Sequence, residues 1–302
     1  MTNRPENTKP AGGNLSRDDD LLQRALFALN GQRPQEAERI AAEALKSDPR
    51  HGRALHIFGC ALLMQGRAEE AITPLESAAR GRHDPEIDTP LAVALRQTGR
   101  HDDALHRLKL ATKRRPPYAP AFRELGALLV FMERYEEAVE ALRGGLEVAP
   151  MMPDLSIQLG YAYLSLRKCA DAKVAFARAL DVTPNSADAL YGMAKALQEV
   201  GGNQAAVEYF RRYLVTMPDD QNAWLSLGHC LLELGQRDAG YDCFRTAARG
   251  GPQRYGNALN SLAAAARGRF WLKPSEAARF MCGEKANASA PEIVGDKSPP
   301  RD

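Results

Sequence analysis

A proline recurs every 34 residues from the middle third of this chain onward, at Pro116, Pro150, Pro184, Pro218 and Pro252. A second residue type keeps the same beat. Ala37, Ala71, Ala104, Ala138, Ala172 and Ala206 follow one another at steps of 34, 33, 34, 34 and 34, and Gly240 takes the next place. Self-similarity at a fixed period of this length means stacked supersecondary units, not one closed core. Within a period, Phe122, Leu125, Leu129 and Met132 recur at three- and four-residue steps, the spacing of one helical face. Glu133-Arg134-Tyr135 reads as a turn, and Ala138, Leu142 and Leu146 mark a second amphipathic helix. Pro150 ends that helix, because proline has no N–H to continue the ladder and restricts the residue before it. Two helices of about 13 residues with two short turns fill the period. The spacing therefore predicts an all-α array of helix-turn-helix hairpins.

Residue size follows the same phase. Gly59, Ala92, Gly126, Gly160, Ala194 and Gly228 share one position of the first helix, where a larger side chain would push neighbouring axes beyond about 8–10 Å. Leu75, Leu108, Leu142, Phe176, Phe210 and Phe244 share one position of the second helix and fill the space between helices. Two residues break the pattern. Gly240 should weaken its helix by up to ~1 kcal/mol. Pro74 lies inside a second helix, removes one backbone bond at a cost of ~3 kcal/mol, and predicts a kink.

Trp224-x-x-Leu227-Gly228-x-x-Leu231, followed by Pro252, resembles the tetratricopeptide repeat, and so does Phe122-x-x-Leu125-Gly126 with Tyr135, Ala138 and Pro150. The resemblance covers about residues 18 to 252, roughly seven repeats. It implies a right-handed superhelical solenoid of hairpins that binds partners along a concave groove. Repeat one departs from the pattern at Ala25 and Ala28, and repeat two has His83 where the terminal proline belongs, with Pro85 two residues on. The resemblance also implies that the first helix of each hairpin lines the groove. By phase the inward residues include Val93 and Arg96; Arg123 and Phe131; Gln158, Tyr161 and Ser165; Tyr191, Lys195 and Gln198; and Ser226, His229 and Glu233. Tyrosine offers apolar area and a polar tip at low entropy cost, which suits peptide binding; the alternative is a merely solvated wall. Some relatives grip a C-terminal carboxylate with lysines, asparagines and an arginine. The matching positions here hold His56, Cys60, Thr89, Val93, Arg123 and Ala127, so that clamp is absent as a set. The asparagine ladder of sugar-transferase relatives is replaced by Glu124, Gln158, Gly192, Ser226 and Asn260, and no catalytic domain accompanies it.

Solenoids need specialised end units. Residues 253–282 are expected to form a degenerate capping hairpin. Leu259, Leu262 and Ala266 lie on one face of it, and Phe270, Trp271, Phe280 and Met281 either cover the last repeat or form a docking surface. Residues 1–17 and 283–302 have too few large apolar side chains to offset ordering entropy and are expected to be disordered.

The rest of the sequence argues mainly by exclusion. The net charge of +2 demands neither nucleic acid nor an acidic membrane. Five cysteines without paired short spacings point to a reducing compartment. The N-terminus carries no apolar stretch, and the run Ala127 to Met132 is far short of a bilayer span. A cytoplasmic protein is expected. The six histidines have no metal-ligand spacing, and no cofactor motif occurs. His229 and Cys230 are adjacent, diverge by about 100° on a helix, and form no catalytic pair. Basic residues gather between Arg80 and Arg115 and between Arg245 and Lys273, as a surface for an acidic partner or, more weakly, RNA, or as a solvated face. The sequence leads to a non-catalytic protein–protein interaction scaffold or adaptor that takes a peptide or protein partner. The alternative is a targeting or regulatory subunit for a separate transferase-type enzyme. Oligomeric state is left open.

Overall fold

The computed structural model describes residues 13–80, 84–249 and 251–265. These form fifteen α-helices and, among the described residues, no strand. Seven hairpins follow one another: α1 (Gly13–Asn30) with α2 (Pro34–Ser47), α3 (Gly52–Met64) with α4 (Ala68–Ala79), α5 (Pro85–Gln97) with α6 (His101–Ala111), α7 (Ala119–Phe131) with α8 (Tyr135–Val148), α9 (Pro153–Ser165) with α10 (Cys169–Val182), α11 (Ala187–Glu199) with α12 (Asn203–Thr216), and α13 (Gln221–Glu233) with α14 (Arg237–Ala248). A last helix, α15 (Pro252–Ala265), packs on α13 and α14. The chain divides after Pro184 into two compact units, α1–α10 and α11–α15. In the first unit, first helices of adjacent hairpins also touch: α1 with α3, α3 with α5, α5 with α7 and α7 with α9.

α1 starts at Gly13, ahead of the boundary at residue 18 read from the period. Its polar first turns carry no apolar beat, yet no proline stops them, so the helix extends back from Leu21 and Leu22, which are buried. Residues 1–12 lie outside the described residues. So do Phe270, Trp271, Phe280 and Met281, together with the tail 283–302. Of the expected cap, α15 is the described part; Ala258 and Leu262 are fully buried against Phe244, and Pro252 occupies the first turn, where a missing N–H costs nothing.

The size pattern is the core. Leu75, Leu142, Phe176, Phe210 and Phe244 are fully buried and Leu108 nearly so. Gly59, Gly126, Gly160 and Gly228 of the first helices face Leu75, Leu142, Phe176 and Phe244 of the second. A Cβ at Gly160 would lie 2.6 Å from the Phe176 ring, and one at Gly228 would lie 2.8 Å from Phe244. Gly240 is required for the same kind of reason. A Cβ there would meet Leu232 at 2.8 Å and the Gly228 carbonyl at 3.2 Å, so the helix weakened by glycine gains a closer crossing.

The two turns of each period have different chemistry. Between first and second helix, one residue takes positive φ: Gly66 (75°), Gly99 (81°), Gly201 (76°) and Gly235 (77°), but also Gln32 (57°), Glu133 (59°) and Arg167 (59°). Between hairpins, several first helices are capped by side chains. His51 accepts from the Ala54 N–H, Asp84 from Glu86, Ser186 from Ala189, and Asp220 from Asn222 and Ala223. Asp220 also accepts from the Tyr213 hydroxyl at 2.6 Å. α4 continues unbroken on both sides of Pro74, whose buried ring offsets the missing bond to the Glu70 carbonyl. A second interior proline, Pro90, lies in α5.

Candidate partner-binding site

α5 packs between α3 and α7. Its Glu86, Thr89, Pro90 and Val93 are spaced three, four and seven residues apart, so they share one helical face. That face borders a cleft of about 340 Å3. α3 supplies His56, Cys60, Leu63 and Met64, again at helical spacing; α7 supplies Pro120, Arg123 and Glu124; and Tyr118 enters from the loop before α7. The wall is part apolar, with Met64 40% exposed, and part polar.

Charges around the cleft are unevenly answered. Arg123 donates to Glu124 at 2.9 Å and to Asp154 at 3.4 Å, and Arg96 lies 3.7 Å from the same Glu124. Both arginines are therefore neutralised in place. Pro90 has no N–H to give the Glu86 carbonyl four residues back. The Glu86 main chain lies close enough to the His56 ring to favour its protonated form, less strongly than burial opposes it. Burial holds the His56 imidazole below its ordinary pKa, against the pull of the Glu86 and Asp84 carboxylates. Burial pushes the Cys60 thiol up to about 12, so it is no nucleophile. Burial, then the Glu86 charge, raises Tyr118, which stays a phenol and hence a donor.

Of the residues singled out by phase, Val93 and Arg123 line this cleft, and Arg96 is tied to its edge through Glu124. Phe131 is 63% exposed at the end of α7, with its ring 4.8 Å from His101 and away from the cleft. On α9, Tyr161 stands edge-on to Phe176 at 5.1 Å, and Gln158 has a buried Oε1 with no partner among the described residues. Tyr191, Lys195, Ser226 and His229 belong to the second unit. Tyr191 packs on Tyr213 and Phe210 at 5.1 and 5.9 Å. Lys195 donates to Gln198 at 3.1 Å, Gln198 donates to the Ser226 carbonyl at 3.5 Å, and the His229 ring lies 5.3 Å from Phe244. Much of each side chain in this second set is used in packing. Phase reasoning passed over Glu86, Pro90, Tyr118 and Pro120; an in-helix proline at Pro90 was the one visible signal.

A second cleft, of about 370 Å3, lies among α4, α5 and α6 and is lined by Asp88, Arg100, Asp103 and Arg107. Its charges are paired: buried Asp88 with Arg107 at 3.1 Å, and Asp103 with Arg100 at 2.8 Å. It ties second helices to α5, and its wall is more polar than that of the first cleft. Lys109 is likewise paired with Glu137 at 3.1 Å, so much of the first basic stretch is internal charge balance. No group of three metal-ligating side chains occurs among the described residues. None of their helices is long and apolar enough to cross a membrane.

A family model described as tetratricopeptide repeat matches residues 22–86, 157–197 and 191–255, together more than half the chain. A stretch of 117 residues is 32% identical to the small glutamine-rich tetratricopeptide repeat-containing protein 2 of Mycosarcoma maydis. It spans 39% of this chain and 31% of that protein. Among solved structures, the fold is similar to a chain of the APC/C hetero-tetramer Cut9–Hcn1, with TM-score 0.64 and 19% identity over 71% of this chain and 43% of that one. It is also similar to PilF of Pseudomonas aeruginosa, with TM-score 0.61 and 21% identity over 68% of this chain and 95% of that one. At these identities the structural likeness is one of fold. Repeat phase, hairpin geometry and the three family matches agree: the chain belongs to the tetratricopeptide repeat family.

Proposed function

We propose that this protein is a non-catalytic scaffold that holds a segment of a protein partner on the first-helix face, with the cleft between α3, α5 and α7 as its main contact. The observation that carries this is the cleft itself, which three successive first helices and one loop build from apolar wall and a few polar groups. Such a surface is rigid before binding, so little ordering cost opposes association. Catalysis has no support there. Burial keeps the Cys60 thiol protonated and holds the neighbouring His56 below its ordinary pKa. The free cysteines Cys60, Cys169, Cys230 and Cys243 fit a reducing compartment such as the cytoplasm.

Site-specific crosslinking tests the reading. A photoreactive amino acid at Val93, in the cleft, is expected to trap a defined partner in native cells. The same group at Glu140, exposed on α8, is expected to trap none of it. Equal trapping at both positions would remove the cleft from the account.

A further inference from the structure

We infer that the α3–α5–α7 cleft selects a partner segment presenting a lysine or arginine side chain beside an apolar one, an inference that rests on the groove reading above. The argument begins with charge. Arg123 and Arg96, which at first sight suit an acidic ligand, already share Glu124, and Arg123 also reaches Asp154. The carboxylates of Glu86 and Asp84 have no ion-pair partner among the described residues. Asp84 only caps α5 through the Glu86 N–H at 2.9 Å. Glu86 lines the cleft, and Asp84 is the N-cap of the same helix, two residues before it. Among the described residues, taking Asp84, Glu86, Glu124 and Asp154 against Arg96 and Arg123 leaves two negative charges without a paired arginine.

The remaining wall suits the stem of such a side chain. Lysine and arginine bury their methylenes along apolar surface and keep the charged head among acceptors. Leu63, Met64, Pro90 and Val93 supply that surface, and Glu86 stands at one edge of it. A carboxylate in the same place would face Glu86, and Arg123, the arginine among the residues lining the cleft, is already committed to Glu124 and Asp154. The charge pattern is thus opposite in sign to a site that grips an acidic tail.

Binding of the full chain to an array of capped octapeptides, varied at every position, reads this preference directly. Retained peptides are expected to be enriched in lysine or arginine over aspartate and glutamate at one position. The strongest peptide should lose about two- to fivefold in affinity with Glu86→Gln, a typical effect of one partly exposed charge. Asp84→Asn, which keeps the cap acceptor, should act in the same direction. Replacing the peptide's basic residue by norleucine should cost the wild type a similar factor and the doubly substituted protein little more. Helical content is checked for each variant. Acidic enrichment, or unchanged affinity for the basic peptide in the doubly substituted protein, would overturn the charge inference alone. Retention of no peptide, or equal retention by Val93→Arg, would overturn the groove reading with it.

Discussion

Gly160 shows how closely single residues set this fold. Alanine there gains about 1 kcal/mol in helix propensity over glycine, but its Cβ would press on the Phe176 ring at 2.6 Å. Overpacking of that kind costs roughly 1–3 kcal/mol, so Gly160→Ala is expected to lower the thermal unfolding temperature. Gly256, in α15, has nothing within 4 Å of a Cβ. Gly256→Ala should stabilise by about 0.5–1 kcal/mol. Stabilisation by both substitutions would mean that the close crossing is not what selects glycine. Such positions are legible in the sequence because the period repeats them. Tyr118 and Pro120 are not, because they come from the junction between hairpins, where phase fixes no face. Nor did phase reveal that Tyr161 leans on Phe176: it gives the side of the helix, not the size of the neighbour beneath it.

At the scale of the element, the first turn of each hairpin is a conformational demand that the sequence meets unevenly. Glu133 is exposed and sits at φ 59°, in the place where four other repeats have glycine. A left-handed conformation costs a side-chain-bearing residue roughly 1–2 kcal/mol, part of which glycine returns as unfolded-state entropy. Glu133→Gly is therefore expected to stabilise α7–α8 by about 0.5–1 kcal/mol. Gly201→Ala should destabilise α11–α12 by about 1 kcal/mol or more. Chemical denaturation of the two variants checks both signs. Helix boundaries were legible where proline and turn residues flank them. They were not at α1, whose polar start extends to Gly13 without an apolar beat. Nor was Pro90 read as more than chain: an in-helix proline signals a breaker, yet in α5 it sits inside the helix and lines the cleft beside Glu86.

For the whole molecule, each unit buries a histidine whose neutral form is favoured. His56 in the first is held below its ordinary pKa by burial, and His229 in the second by burial and then by Lys195. The unfolded chain takes up these protons near pH 6.5, before the folded chain does. Stability from both groups is thus complete above about pH 6.5 and is lost as pH falls from there toward their depressed folded values. Thermal stability should therefore decline as pH falls below about 6.5, above the range where carboxylates protonate. The double variant His56→Gln, His229→Gln should show a flatter profile, and an equally steep one would assign the loss elsewhere.

The fold class and the row of first helices could be read from a 34-residue beat in the sequence. Which part of that row is open required the packed structure, where cleft and filler residues separate. The affinity of a crosslinked partner for Val93→Arg and Glu140→Arg, measured side by side with unchanged helical content, tests that separation most directly. A guanidinium driven into the α3–α5–α7 cleft is expected to weaken binding by roughly tenfold or more, about 1.4 kcal/mol, while the α8 change leaves it unaltered. Equal affinities for the two variants would contradict the account.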